Sequence, residues 1–186
     1  MKKSFAAAVS VVVWLSAVSS LPGLPGAQGS PDEAVQKFIE QNIGLTSQPL
    51  TPAQLRLRLH ARTKSSRQVE NAHVPGQVDH IIVLSDDKGT EVEAYVPATG
   101  TVLIQRIKVS DAGRKLPAGL VIGSSTLDDM NKALGPNGTL DGPRGSSAWR
   151  YYNQEDTASA RLWFDRYGKL AGVEWTFSTG ALDSAD

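Results

Sequence analysis

Apolar residues recur along this chain at two spacings, and the change from one to the other predicts the elements. Val35, Phe38, Ile39 and Ile43 follow one another at helical intervals. Ser30-Pro31-Asp32-Glu33 precedes them with a capping hydroxyl, a proline suited to the first helical position and an acid placed to reach back. Gly44 is placed to close this helix. The next segment carries two signals. Thr51-Pro52-Ala53-Gln54 has the chemistry of a capping box, yet Leu55, Leu57 and Leu59 alternate with Arg56, Arg58 and His60 as a strand would. The cap chemistry favours a short helix.

Period-two segments follow in quick succession. Asp79 to Ser85, Glu91 to Val96 and Thr101 to Val109 read as strands, with turns at Asp86-Asp87-Lys88-Gly89 and Ala98-Thr99-Gly100. The pattern then recurs. Thr126-Leu127-Asp128-Asp129-Met130 leads to Leu134 in the rhythm of Thr51 to Leu59 and is stopped by Gly135-Pro136. Ala148 to Asn153, Ala158 to Asp165 and Lys169 to Phe177 are again strands, the last two turning at Gly168. Two copies, about 51–109 and about 126–177, predict an α+β fold. It would consist of duplicated units of a helix plus an antiparallel three-stranded sheet, within one domain spanning 30–177 and with the helices packed on one sheet face. The tail 178–186 is polar.

The first residues predict a destination. Lys2 and Lys3 precede an uncharged apolar run from Phe5 to Val18, and Ala17 and Ser19 supply small residues at a cleavage site. That run is shorter than the roughly 20 residues needed to cross a bilayer. The expectation is a signal peptide over 1–19, a Pro- and Gly-rich lead-in over 20–29, and a periplasmic or secreted mature protein. The chain has no cysteine, so no disulfide supports the fold and no lipid-bearing Cys follows the signal. Removing Lys2 and Lys3 from the 19 basic residues leaves 17 against 19 acidic, a balance that gives no reason to expect a nucleic-acid partner.

Gly123-Ser124-Ser125-Thr126, Met130, Leu134-Gly135-Pro136, Trp149-Arg150-Tyr151, and Leu162-Trp163-Phe164 through Gly168-Lys169-Leu170 to Trp175 stand in a familiar order. Together they resemble the small periplasmic domain of the outer-membrane-assembly lipoproteins, the SmpA/OmlA or BamE type. The tandem form of that domain is similar to the β-lactamase-inhibitory-protein fold. The resemblance implies a helix layer on an antiparallel sheet, used to bind another exported or envelope protein and not for catalysis. Assembly-type members carry a lipid-bearing Cys, whereas this chain has none.

Strand parity divides the remaining side chains between two faces. Val92, Ala94, Val96, Trp149, Tyr151, Leu162, Phe164, Val173 and Trp175 should face the helices. The opposite face should carry Glu93, Glu174 and the candidate binding residues Tyr95, Arg150, Tyr152, Arg161 and Trp163. Aromatics interleaved with Arg suit a protein-binding surface, and they equally suit cross-strand pairing that decorates a sheet. A second candidate is the polar run Glu70 to His80, where His73, Asp79 and His80 invite a metal or small-ligand reading. Its spacing matches no metal motif, and Pro75-Gly76 with Asn71 and Asp79 has the chemistry of a turn. No nucleophile elbow, Walker loop or dinucleotide fingerprint is present, so no catalytic residue, cofactor or metal is expected. The basic run Arg56, Arg58, His60, Arg62, Lys64 and Arg67 suits either a solvated edge or contact with anionic envelope surfaces.

Overall fold

The computed structural model of the chain describes residues 31–142 and 147–179. The signal peptide, the lead-in, the Ser30 cap and the last seven residues of the polar tail lie outside them. The elements run α1 (Pro31–Gln41), α2 (Pro52–Leu59), β1 (Arg62–Glu70), β2 (Val78–Ser85), β3 (Thr90–Val96) and β4 (Leu103–Val109). A 3-10 turn at Pro117–Gly119 leads to α3 (Leu127–Leu134), β5 (Thr139–Leu140), β6 (Ala148–Tyr152), β7 (Ala158–Phe164) and β8 (Leu170–Phe177).

All eight strands form one antiparallel sheet in the order β1-β2-β3-β4-β8-β7-β6-β5. The expected fold class is therefore corrected. The protein is mainly β, a single eight-stranded sheet with three short helices, and not a duplication of helix-plus-three-strand units. Two consecutive four-stranded meanders meet where β4 pairs with β8, from Arg106↔Thr176 to Val109↔Val173. The count differed because β1 and β5 carry no apolar alternation. In β1, RTKSSRQVE, every residue but Val69 is exposed. What orders β1 is its backbone ladder to β2, where Arg67 pairs with Ile81 and Ser66 with Ile82. β1 thereby covers an edge whose sequence, Ile81-Ile82-Val83-Leu84, would invite pairing with another chain. Its own edge is guarded by Arg62, Lys64 and Arg67 and by an irregularity between Thr63 and Ser65.

The ambiguous segment is helical. Thr51 accepts from the Gln54 N–H, and the Gln54 side chain accepts from the Thr51 N–H. The alternating leucines then separate around the helix, with Leu55 fully buried and Leu57 74 % exposed. His60 ends α2 at φ 51°, in the left-handed region that Gly more commonly fills at such a position. In α3 the reciprocal cap is Thr126 with Asp129. Replacing Thr51 or Thr126 by Ala should each cost about 1 kcal/mol, read as a lowered urea midpoint at unchanged slope.

Buried side chains of all three helices join one cluster on one sheet face. Val35, Phe38 and Ile39 of α1, Leu55 of α2, and Met130 and Leu134 of α3 meet Val92, Ala94, Ile107, Leu162, Val173 and Trp175. Phe38 lies against Trp175 with ring centroids 5.5 Å apart. Among the described residues no helix contributes to the opposite face, referred to below as the outer face.

Candidate functional site

Alternation along β3, β4, β8, β7 and β6 carries Glu91 and Glu93, Arg106 and Lys108, Gly172 and Glu174, Arg161 and Trp163, and Arg150 and Tyr152 onto the outer face. Their charges alternate in sign from β3 to β7, and Arg150 of β6 then stands opposite the like-charged Arg161. Lys64 Nζ reaches Glu91 at 2.6 Å, and Arg106 reaches Glu93 at 2.8 Å, Glu91 at 3.3 Å and Glu174 at 3.5 Å. Burial works against the Arg106 charge, but Glu93, Glu174 and Glu91 outweigh it and raise its pKa. The series ends at Asp141, whose Oδ2 accepts from Arg150 at 2.9 Å and from Arg161 Nε at 2.6 Å. Burial alone would raise the Asp141 carboxyl, and these two guanidiniums hold it below the ordinary range instead.

Trp163 forms the centre of this patch. Its cross-strand partner is Gly172, and the missing side chain is what admits the indole. Lys108 Nζ stands 5.6 Å and Arg161 Cζ 5.9 Å from the centroid of that ring. Beside it is a hollow of about 290 Å³ lined by Lys108, Arg161, Trp163, Glu174, Ala148 and Phe164. Along β6, Arg150 and the 52 % exposed Tyr152 border a second hollow of about 430 Å³ with Asp32, Asn137 and Asn153. Arg150, Arg161 and Trp163 thus meet across β6 and β7, while Tyr152 lies on the same face four residues along β6 from Ala148, the cross-strand partner of Trp163.

No family model, curated protein or solved structure matches the chain. The resemblance to the SmpA/OmlA type accordingly rests on the motifs between Gly123 and Trp175.

Tyr95 does not belong to the patch. It lies on the expected face of β3, but it is 1 % exposed and three strand spacings from β7, roughly 14 Å at about 4.8 Å each. The reason is Asp79, which parity places on the same face of β2. Tyr95 Oη donates to Asp79 Oδ2, Asn71 Nδ2 donates to the same oxygen at 2.7 Å, and Gln77 Nε2 and the Ala98 N–H donate to Oδ1 at 2.8 and 2.9 Å. A fully buried carboxylate needs such donors, and the tyrosine hydroxyl is drawn in to supply one.

The same contacts assign the polar run from Glu70 to His80. Asn71 Oδ1 accepts from the His73 and Val74 N–H groups at 2.8 and 3.0 Å, closing the turn between β1 and β2. Asp79 points to the outer face, and His80, the next residue along β2, points to the other. Among the described residues no group of three or more His, Cys, Asp or Glu side chains is placed to hold a metal ion.

Two members of the patch were not singled out from the sequence. Lys108 was legible in principle, because it alternates with the core residues Ile107 and Val109. Asp141 gave no signal, since it follows β5 in a segment rich in Gly and Pro.

Proposed function

We propose that this chain is an exported, non-enzymatic protein-binding module that docks its partner on the outer sheet face through Trp163, Arg161, Arg150 and Tyr152. The observation that carries this reading is the patch itself. Trp163, Arg161 and Arg150 lie together across β6 and β7 on the sheet face that the described helices leave uncovered, and Tyr152 stands exposed farther along β6. Aromatic and Arg side chains dominate protein interfaces because they bury much surface and lose little freedom on doing so. Arg150 and Arg161 are already held by Asp141, so little of their ordering remains to be done on binding. Inhibitor, immunity and envelope-assembly roles are all consistent with such a surface, and the resemblance of the second half to an envelope domain agrees with them. Export follows the charged and apolar pattern of residues 1–19.

The test is capture by the tagged, exported protein from crosslinked envelope extract, read by mass spectrometry beside Trp163→Ala. The variant's circular dichroism must match that of the unchanged protein. A specific partner whose recovery falls at least tenfold in the variant, on the order of a 1.4 kcal/mol loss, is the expected outcome. Equal recovery by both proteins would overturn the proposal.

A further inference from the structure

We infer that the hollow beside Trp163 receives a single carboxylate side chain, Asp or Glu, from the protein partner. The inference rests on the protein-binding reading above and names the chemistry of the contact. The Trp163 indole rests on Gly172, and Lys108 and Arg161 flank it, each within 6 Å of the ring centroid. Neither cation is fully used. Lys108 donates no hydrogen bond and makes no ion pair among the described residues. Arg161 gives its Nε to Asp141, while its two terminal amino groups donate to no described residue. The carboxylate that lines the hollow, Glu174, is contacted by Arg106 at 3.5 Å. Lys108 and Arg161 line the hollow against Glu174 alone, and Asp141 and Glu91 lie outside it against Arg161 and Lys108. Over the whole face Lys64, Arg106, Lys108, Arg150 and Arg161 outnumber Glu91, Glu93, Glu174 and Asp141 by one charge.

Attraction to the indole offsets part of that charge but does not neutralise it. An incoming Asp or Glu satisfies both demands at once. Its methylene stem lies on the indole, and its oxygens accept from Lys108 and Arg161 in charge-assisted bonds shielded by the ring. A cationic side chain meets two like charges there and is repelled.

The test follows the Trp163 indole N–H by NMR, assigned with Trp163→Phe, in the whole exported protein. The probes are acetyl-Gly-Glu-Gly-amide, its Lys counterpart and inorganic phosphate. Expected is a saturable shift with the Glu peptide alone, with affinity about tenfold weaker in Lys108→Gln. Equal shifts from the Glu and Lys peptides, an equal response to phosphate, or undiminished affinity in Lys108→Gln would each overturn the inference. The capture experiment separates this failure from that of the wider reading. A partner lost with Trp163→Ala but fully retained with Lys108→Gln leaves a protein-binding face without a carboxylate contact. A partner retained by both variants removes the binding reading itself.

Discussion

Gly172→Ala should destabilise the protein by roughly 2–3 kcal/mol, although it adds one methyl group to a position on the open face of a sheet. A Cβ at this position would lie 2.2 Å from Cζ2 and 2.7 Å from Cη2 of Trp163, and 2.7 Å from the carbonyl oxygen of Val109. The first two contacts can be relieved by moving a side chain. The third cannot, because Val109 pairs with Val173 and belongs to the short ladder joining the two meanders. The substitution therefore displaces the indole and strains the β4–β8 seam together. A double-mutant cycle with Trp163→Ala separates the two effects. The pair should recover part of the loss and keep the portion owed to the backbone contact. Urea denaturation of the four proteins measures this. Unchanged stability in Gly172→Ala would mean that the indole does not rest on the glycine. Loss of partner capture in that variant, at a temperature where it stays folded, would tie the same contact to binding.

Much of this arrangement could be read from the chain. Each strand with period-two apolar residues was found within two residues of its observed ends, because burial on one face imposes that period. Capping boxes located α2 and α3 for an equally local reason. Neither the extent of the sheet nor its order was legible. β1 is ordered by pairing and not by burial, so its composition resembles that of a loop, and the two-residue β5 is too short to show a period. The joining of β4 to β8 is a contact between residues far apart in sequence, which local patterns do not encode.

The candidate site divides in the same way. Parity put Arg150, Tyr152, Arg161 and Trp163 on one face correctly, because alternation alone decides it. Tyr95 obeyed the same parity and still became buried. Its environment depends on Asp79, which reaches it through the register Ile81↔Tyr95 between neighbouring strands. An aromatic on an open face is thus a binding candidate only when no buried acid on the adjacent strand claims its polar end. Trp163, opposite a glycine, escapes that fate.

Asp79→Asn should be among the most damaging single substitutions in the chain, lowering the thermal midpoint by on the order of 10 °C and flattening its acid dependence. Asp79 is fully buried and accepts from Tyr95, Asn71, Gln77 and the Ala98 N–H. Asparagine offers one acceptor oxygen where the carboxylate offers two, and turns its own N–H groups toward donors. Burial alone would raise the Asp79 pKa, but the bonds from Tyr95, Asn71, Gln77 and Ala98 prevail and hold it at about 2. The folded value is therefore depressed below the 3.8 of a free side chain. The corresponding stability is present in full above about pH 4 and is lost as pH falls from about 4 to about 2. Denaturation midpoints measured across that window should drop for the unchanged protein and drop less for Asp79→Asn. Parallel curves would show that Asp79 does not govern the acid limb. Tyr95→Phe is the milder companion: it removes one bond to a charged acceptor, at a cost of about 1.5–3 kcal/mol, and should leave partner capture at the Trp163 patch unchanged. Loss of capture in folded Tyr95→Phe would place the docking surface across the whole outer face and not at β6 and β7.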